Sequence, residues 1–205
     1  VLVGQIEAGL ESAKRAAHYA DQAKDRTRIV ASRAHYAFAL HSAGHRDEAR
    51  KLFQDAEQQL QLKAHAFLNS IFGHRYRDLM IDSGGFAAAH QHATTALRKG
   101  VGRPRLLSSA LDKLTIGRAD HALTLVAKEE ANHPLTAHDG RVAHNQLSEV
   151  YDNLLASGRN EYAPLGLLAR AAFRRSIGDW SGATRDLDEV EEIAEPGPMR
   201  LYLCD

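Results

Sequence analysis

Residues 37–49 read Ala37-Phe38-Ala39-Leu40-His41-Ser42-Ala43-Gly44-His45-Arg46-Asp47-Glu48-Ala49, with Phe53 and Ala56 following. Glycine takes the left-handed conformation without a Cβ penalty, so Gly44 is placed to end one helix. Three polar residues then lead into a second. Counted from Gly44, the small Ala49, the large Phe53 and the small Ala56 share one face of that second helix. Small side chains there allow close approach to the first helix, and the larger one locks between them. The stretch encodes a helical hairpin.

Working outward, the same offsets from Gly84 find Ala89, Ala93 and Ala96. Gly117 is followed by Ala122 and Val126, with Glu129 breaking the match, and Gly178 by Ala183, Leu187 and Val190. Seven residues before each glycine stand Ala37, Arg77, Ala110 and Ala171. The spacings between the glycines are 40, 33 and 61 residues, so the long gap is expected to hold one degenerate unit. Leu147 to Gly158 reads as its first helix and Glu161 to Ile177 as its second, with Pro164 in the opening turn, where a missing N–H costs nothing.

Composition agrees. Good helix formers dominate, and the five prolines leave residues 1–103 free of proline. Apolar residues recur at three- and four-residue spacing, and no segment alternates as a strand would. The predicted fold is all-α, a right-handed α-solenoid of antiparallel helix pairs. One repeat domain spans residues 1–205. It begins with a half-unit at 5–25 and continues with units at about 28–62, 64–99, 104–132 and 140–177. Residues 179–195 add a further second helix, and a truncated unit starts at 199. Ends that fall within units predict a piece of a longer protein.

The segment from Ala37 through Gly44 to Ala56 resembles a tetratricopeptide repeat. The strings Leu111–Ala119, Leu165–Ala171 and Asp186–Ala194 are similar to the repeat regions of bacterial signalling NTPases of the STAND or NACHT type. That resemblance implies a protein-interaction scaffold or sensor that docks a partner, or the upstream ATPase core of its own polypeptide, on the concave face. Mapped onto the first helices, that face carries Phe38, His41, His74, Asp78, Leu107, Leu111, Leu114 and Arg175. The Lys–Asn pattern of chaperone-binding relatives is missing, since Ala34 and Phe38 hold the matching places.

Other chemistry is thin. Twenty-six Lys and Arg balance 26 Asp and Glu, which argues against nucleic acid or an acidic membrane as partner. The lone Cys204 excludes a disulfide framework, and with no signal or membrane-span pattern it predicts a cytoplasmic protein. Lys99-Gly-Val-Gly-Arg-Pro-Arg105 lacks the Gly-Lys-Ser/Thr order of a phosphate loop. Two pairs among the 12 histidines invite a metal reading: His41 with His45, and His90 with His92. Gly44 interrupts the first pair, and the second points to different faces, so no metal or other cofactor is expected. No nucleophile elbow is present, and the acidic pairs Asp186/Asp188 and Glu191/Glu192 read as a solvated face. Arg174 and Arg175 beside Phe173 could form an anion- or peptide-binding patch. The expectation is a non-enzymatic protein binder, with a His- and Arg-based ligand site or a structural spacer as alternatives.

Overall fold

The structure, a computed structural model, describes residues 3–64, 68–100, 105–133, 136, 141–197 and 199–203. Among these the chain is all-α. Its helices are α1 (Ile6–Ala23), α2 (Arg26–Ser42), α3 (Arg46–Ala64), α4 (Ser70–Asp82), α5 (Phe86–Lys99), α6 (Leu106–Glu130), α7 (Arg141–Ala156), α8 (Ala163–Ser176) and α9 (Trp180–Ala194). Short 3-10 turns run over Asn160–Tyr162 and Arg200–Leu203.

Three hairpin turns share one chemistry. Gly44, Gly84 and Gly178 have φ of 85°, 76° and 80°. The N–H after each bonds back across the helix end: His45 to the Leu40 carbonyl at 2.9 Å, Gly85 to Met80 at 2.8 Å and Asp179 to Arg174 at 2.9 Å. This satisfies carbonyls that the helix leaves free and turns the chain into an antiparallel partner. Behind Gly44 and Gly84 the residues Ala49, Phe53, Ala56, Ala89 and Ala93 are all fully buried, whereas Ala96 is only half-buried. Behind Gly178, Ala183 and Val190 are buried but Leu187 is exposed, because Asp186 takes the inward position beside it. Pro164 lies in the first turn of α8.

Each helix packs on its neighbour in sequence, and α2, α4, α6 and α8 also touch one another in succession. That second set of contacts defines an α-solenoid: α2, α4, α6 and α8 are first helices, and α3, α5, α7 and α9 their partners. Phe53 of α3 shows how units join, stacking on Tyr76 of the next first helix with centroids 5.1 Å apart.

Gly117 departs from the sequence reading. It does not end a helix but lies inside the 25-residue α6, which Asn132 terminates in the left-handed conformation at φ 52°. His133 N–H bonds to the Lys128 carbonyl at 3.0 Å, the same closure as at the glycines. What Gly117 supplies is space, since a Cβ there would stand 3.1 Å from Leu147 Cδ2 of α7. The pairing shifts accordingly. Residues 104–132 hold one first helix rather than a hairpin, α7 is its second helix, and α8 and α9 form the following pair. The expected pairing of Leu147–Gly158 with Glu161–Ile177 is therefore replaced.

Candidate functional site: the concave face

First helices present one side to their partners and the other to the inside of the solenoid. On that inner side lies a cavity of about 550 Å³. Helix α2 contributes Phe38 and His41, and α4 contributes His74, Arg75, Asp78 and Ile81. Arg118 and His121 come from α6, and Leu165, Leu168 and Ala172 from α8. Tyr162 of one 3-10 turn and Leu201 and Tyr202 of the other complete the wall.

Four of the expected face residues meet here. Phe38 lies under the Arg75 guanidinium, whose carbon is 3.9 Å from the ring centroid. His41 Nε2 is 2.9 Å from Asp82 Oδ2, tying α2 to α4. His74 Nε2 stands 3.2 Å from Asp78 Oδ2, outside hydrogen-bonding geometry, and its Nδ1 faces Thr115 at 3.5 Å. Burial lowers the His74 pKa to about 4 against the pull of Asp78, so the ring is neutral at neutral pH. Asp78 also accepts from Arg118. Burial alone would raise the Asp78 carboxyl, but His74 and Arg118 outweigh it and hold it below the usual range.

The remaining expected residues lie elsewhere. Leu111 and Leu114 are fully buried in the core between α6, α7 and α8, and Leu107 packs against the same cluster. Neither buried leucine has surface to offer a partner. The reason is helical phase: both sit on the side of α6 that covers the next unit. Arg175 is exposed on α8, about one turn beyond Ala172, and its charge adds to burial in lowering the His121 pKa. Its neighbour Arg174 is internal, donating to Asp186 at 2.7 Å and to the Gly182 carbonyl at 2.9 Å. Arg170 joins the same carboxylate. Asp186 is therefore not part of a solvated acidic face but a buried pin between α8 and α9, 2% exposed.

The histidine pairs are separated. His41 pairs with Asp82 while His45 lies 3.9 Å from Glu48, and His90 approaches Asp120 at 3.3 Å while His92 meets Glu57 at 2.8 Å. Among the described residues no cluster of three or more potential metal ligands forms. Residues 101–104 of the Lys99–Arg105 stretch, and Cys204, lie outside the described residues. No described helix is long and apolar enough to cross a membrane.

Sequence reasoning missed Arg75, Arg118, Tyr162 and Tyr202. The only local signal was the one- and four-residue spacing of Arg75 and Asp78 from His74. The tyrosines reach the cavity through turns, which carry no periodicity.

With this geometry in view, the comparisons with known proteins are brief. No protein-family model matches the chain, and no curated protein matches it. A crystal structure of a Podosopora anserina kinesin light chain protein with nearly identical TPR-like repeats superposes with a TM-score of 0.56. Identity is 16%, and the match covers 95% of this chain and 89% of that one. At that identity the likeness concerns the fold, which is that of a TPR-like solenoid. Repeats of this kind generally mediate contacts between proteins.

Proposed function

We propose that the chain is a protein-interaction scaffold or sensor module. It holds a partner, or the ATPase core of its own polypeptide, on the concave face of the array. The observation that carries this reading is the inner surface itself: four successive first helices contribute side chains to one cavity there. Docking on such a face would shift a parent protein between closed and open states by differential affinity. The similarity of Leu165–Ala171 and Asp186–Ala194 to bacterial STAND-type repeats supports the ATPase attachment and a cytoplasmic setting. The dispersal of the histidine pairs favours a binding module over a metal-dependent enzyme.

Affinity capture with the chain as bait tests the reading, using an ATPase segment of the same polypeptide and a cell extract as prey. Phe38→Glu and Ala172→Glu alter the inner face, while Leu187→Glu changes a residue of α9 that is 48% exposed. The inner-face variants should lose a captured protein that the α9 variant retains. Equal capture by all three would overturn the concave-face assignment.

A further inference from the structure

We propose that the concave cavity is a binding site for a small carboxylate bearing an apolar tail or ring, with Arg75 as its anchor. The Arg75 guanidinium rests on Phe38 and approaches His35 Nδ1 with Nη1 at 3.1 Å. Among the described residues no carboxylate lies within ion-pair distance of it, whereas Arg118 pairs with Asp78 and Asp82 stands 2.9 Å from His41 Nε2. Tyr162 and Tyr202 are each 7% exposed, line the same cavity and stand within electrostatic reach of Arg75. Neither hydroxyl has a hydrogen-bond partner among the described residues. The wall therefore offers guanidinium N–H groups beyond the one directed at His35, and two O–H donors with no acceptor among the described residues.

A cation taken largely out of water without a counter-ion is costly, and a bound anion removes that cost. A single guanidinium suits a monoanion better than a phosphate dianion, and the planar fork of arginine fits a carboxylate through two parallel bonds. Ile81, Leu165, Leu168 and Leu201 leave the rest of the wall apolar, which selects a ligand with a hydrocarbon part.

Size and closure favour a small molecule over an extended peptide. The volume of about 550 Å³ suits a compact ligand. The turn Arg200–Leu203 crosses the inner face, with Met199 and Tyr202 sunk into the cluster around Ala163, Leu167 and Val190. Arg200 also lies against the start of the chain, since a Cβ on Gly4 would be 3.4 Å from Arg200 Cβ. The turn supplies Leu201 and Tyr202 to the cavity wall, so an extended peptide lying along the inner face would run into it.

Isothermal titration of the 205-residue chain at pH 7.5 with phenylpropanoate and octanoate, beside phenylpropanamide and octanamide, tests the site. The carboxylates should bind about tenfold or more tighter than their amides, the span expected when a charge-assisted hydrogen bond is lost. Arg75→Met should remove that difference, while Lys14→Met, an exposed cation of α1, should not. The wild-type comparison of acid with amide stands even where Arg75→Met fails to fold. Equal affinity for acids and amides, no heat from either at millimolar concentration, or an unchanged Arg75→Met would overturn the proposal. So would an acidic hexapeptide that outbinds both acids, which points to a peptide groove instead. No partner protein enters these measurements, so their failure leaves the scaffold reading intact.

Discussion

Removing the carboxylate of Asp112 tests how the units are joined. Arg77 of α4 is completely buried and Asp112 of α6 is 4% exposed, and the Arg77 Nη2 group donates to Asp112 Oδ1 across the interface. Arg77 Nε also faces Thr115 Oγ1 at 3.4 Å, and Nη1 faces His92 Nδ1 at 3.4 Å. Asp112→Ala leaves a guanidinium in the core with only the two long contacts to Thr115 and His92. Breaking a buried pair from one side costs about 3–5 kcal/mol. For a chain of this size that lowers the melting temperature by about 10 °C. Replacing both partners with apolar residues, as in Arg77→Met with Asp112→Leu, should recover most of the loss, because no charge is then stranded. Guanidinium titrations followed by far-UV circular dichroism give both numbers. A loss under about 1 kcal/mol for Asp112→Ala, or a double variant no better than the single, would refute the picture of an enclosed charge pair.

Three further outcomes are expected. Gly117→Val should cost about 1–3 kcal/mol by crowding Leu147, whereas Gly117→Ala should stay within about 1 kcal/mol because better helix propensity offsets a milder contact; thermal melts separate the two. Gly44→Ala, at φ 85° with open space around its Cβ position, should cost about 1–2 kcal/mol from backbone strain alone, read in the same melts. Acid should destabilise the array through His74. Its folded pKa of about 4 lies below the unfolded 6.5, so the unfolded chain binds the extra proton and stability falls as pH drops from 6.5 towards 4, by about 3 kcal/mol. Denaturant midpoints between pH 4 and 7 should show a shallower slope for His74→Gln, and an unchanged slope would count against a buried neutral ring.

Much of the fold was legible because its signals are local. Gly44, Gly84 and Gly178 announce left-handed turns wherever they stand, and the small-large-small spacing behind Gly44 follows from helical geometry. Gly117 shows where that reasoning fails. The same residue type serves close packing as well as chain reversal, and the choice depends on Leu147, 30 residues away. Asn132 does the turning instead, a role that asparagine shares with glycine but rarely declares. Asp186 was misread for a related reason. An acidic run looks solvated until Arg170 and Arg174 of the preceding helix are brought against one member of it.

The inner face divides in the same way. Phe38, His41, His74 and Asp78 could be placed by counting back from glycines, since the phase of a short helix holds over two turns. Leu111 and Leu114 could not, because an origin set at Gly117 gave the wrong phase for α6, and both leucines are core. Arg75 was invisible as a site residue: its distinction is that no carboxylate among the described residues forms an ion pair with it, and a missing pair has no local sequence signature.

By itself the sequence determined helix content, hairpin turns and the small residues that let helices approach, all of which depend on neighbours a few positions apart. Only the tertiary structure decided which helices are first and which second, which charges are paired, and that the Arg200–Leu203 turn supplies part of the cavity wall. Those features depend on packing between segments far apart in the chain, where partners are set by space rather than by spacing.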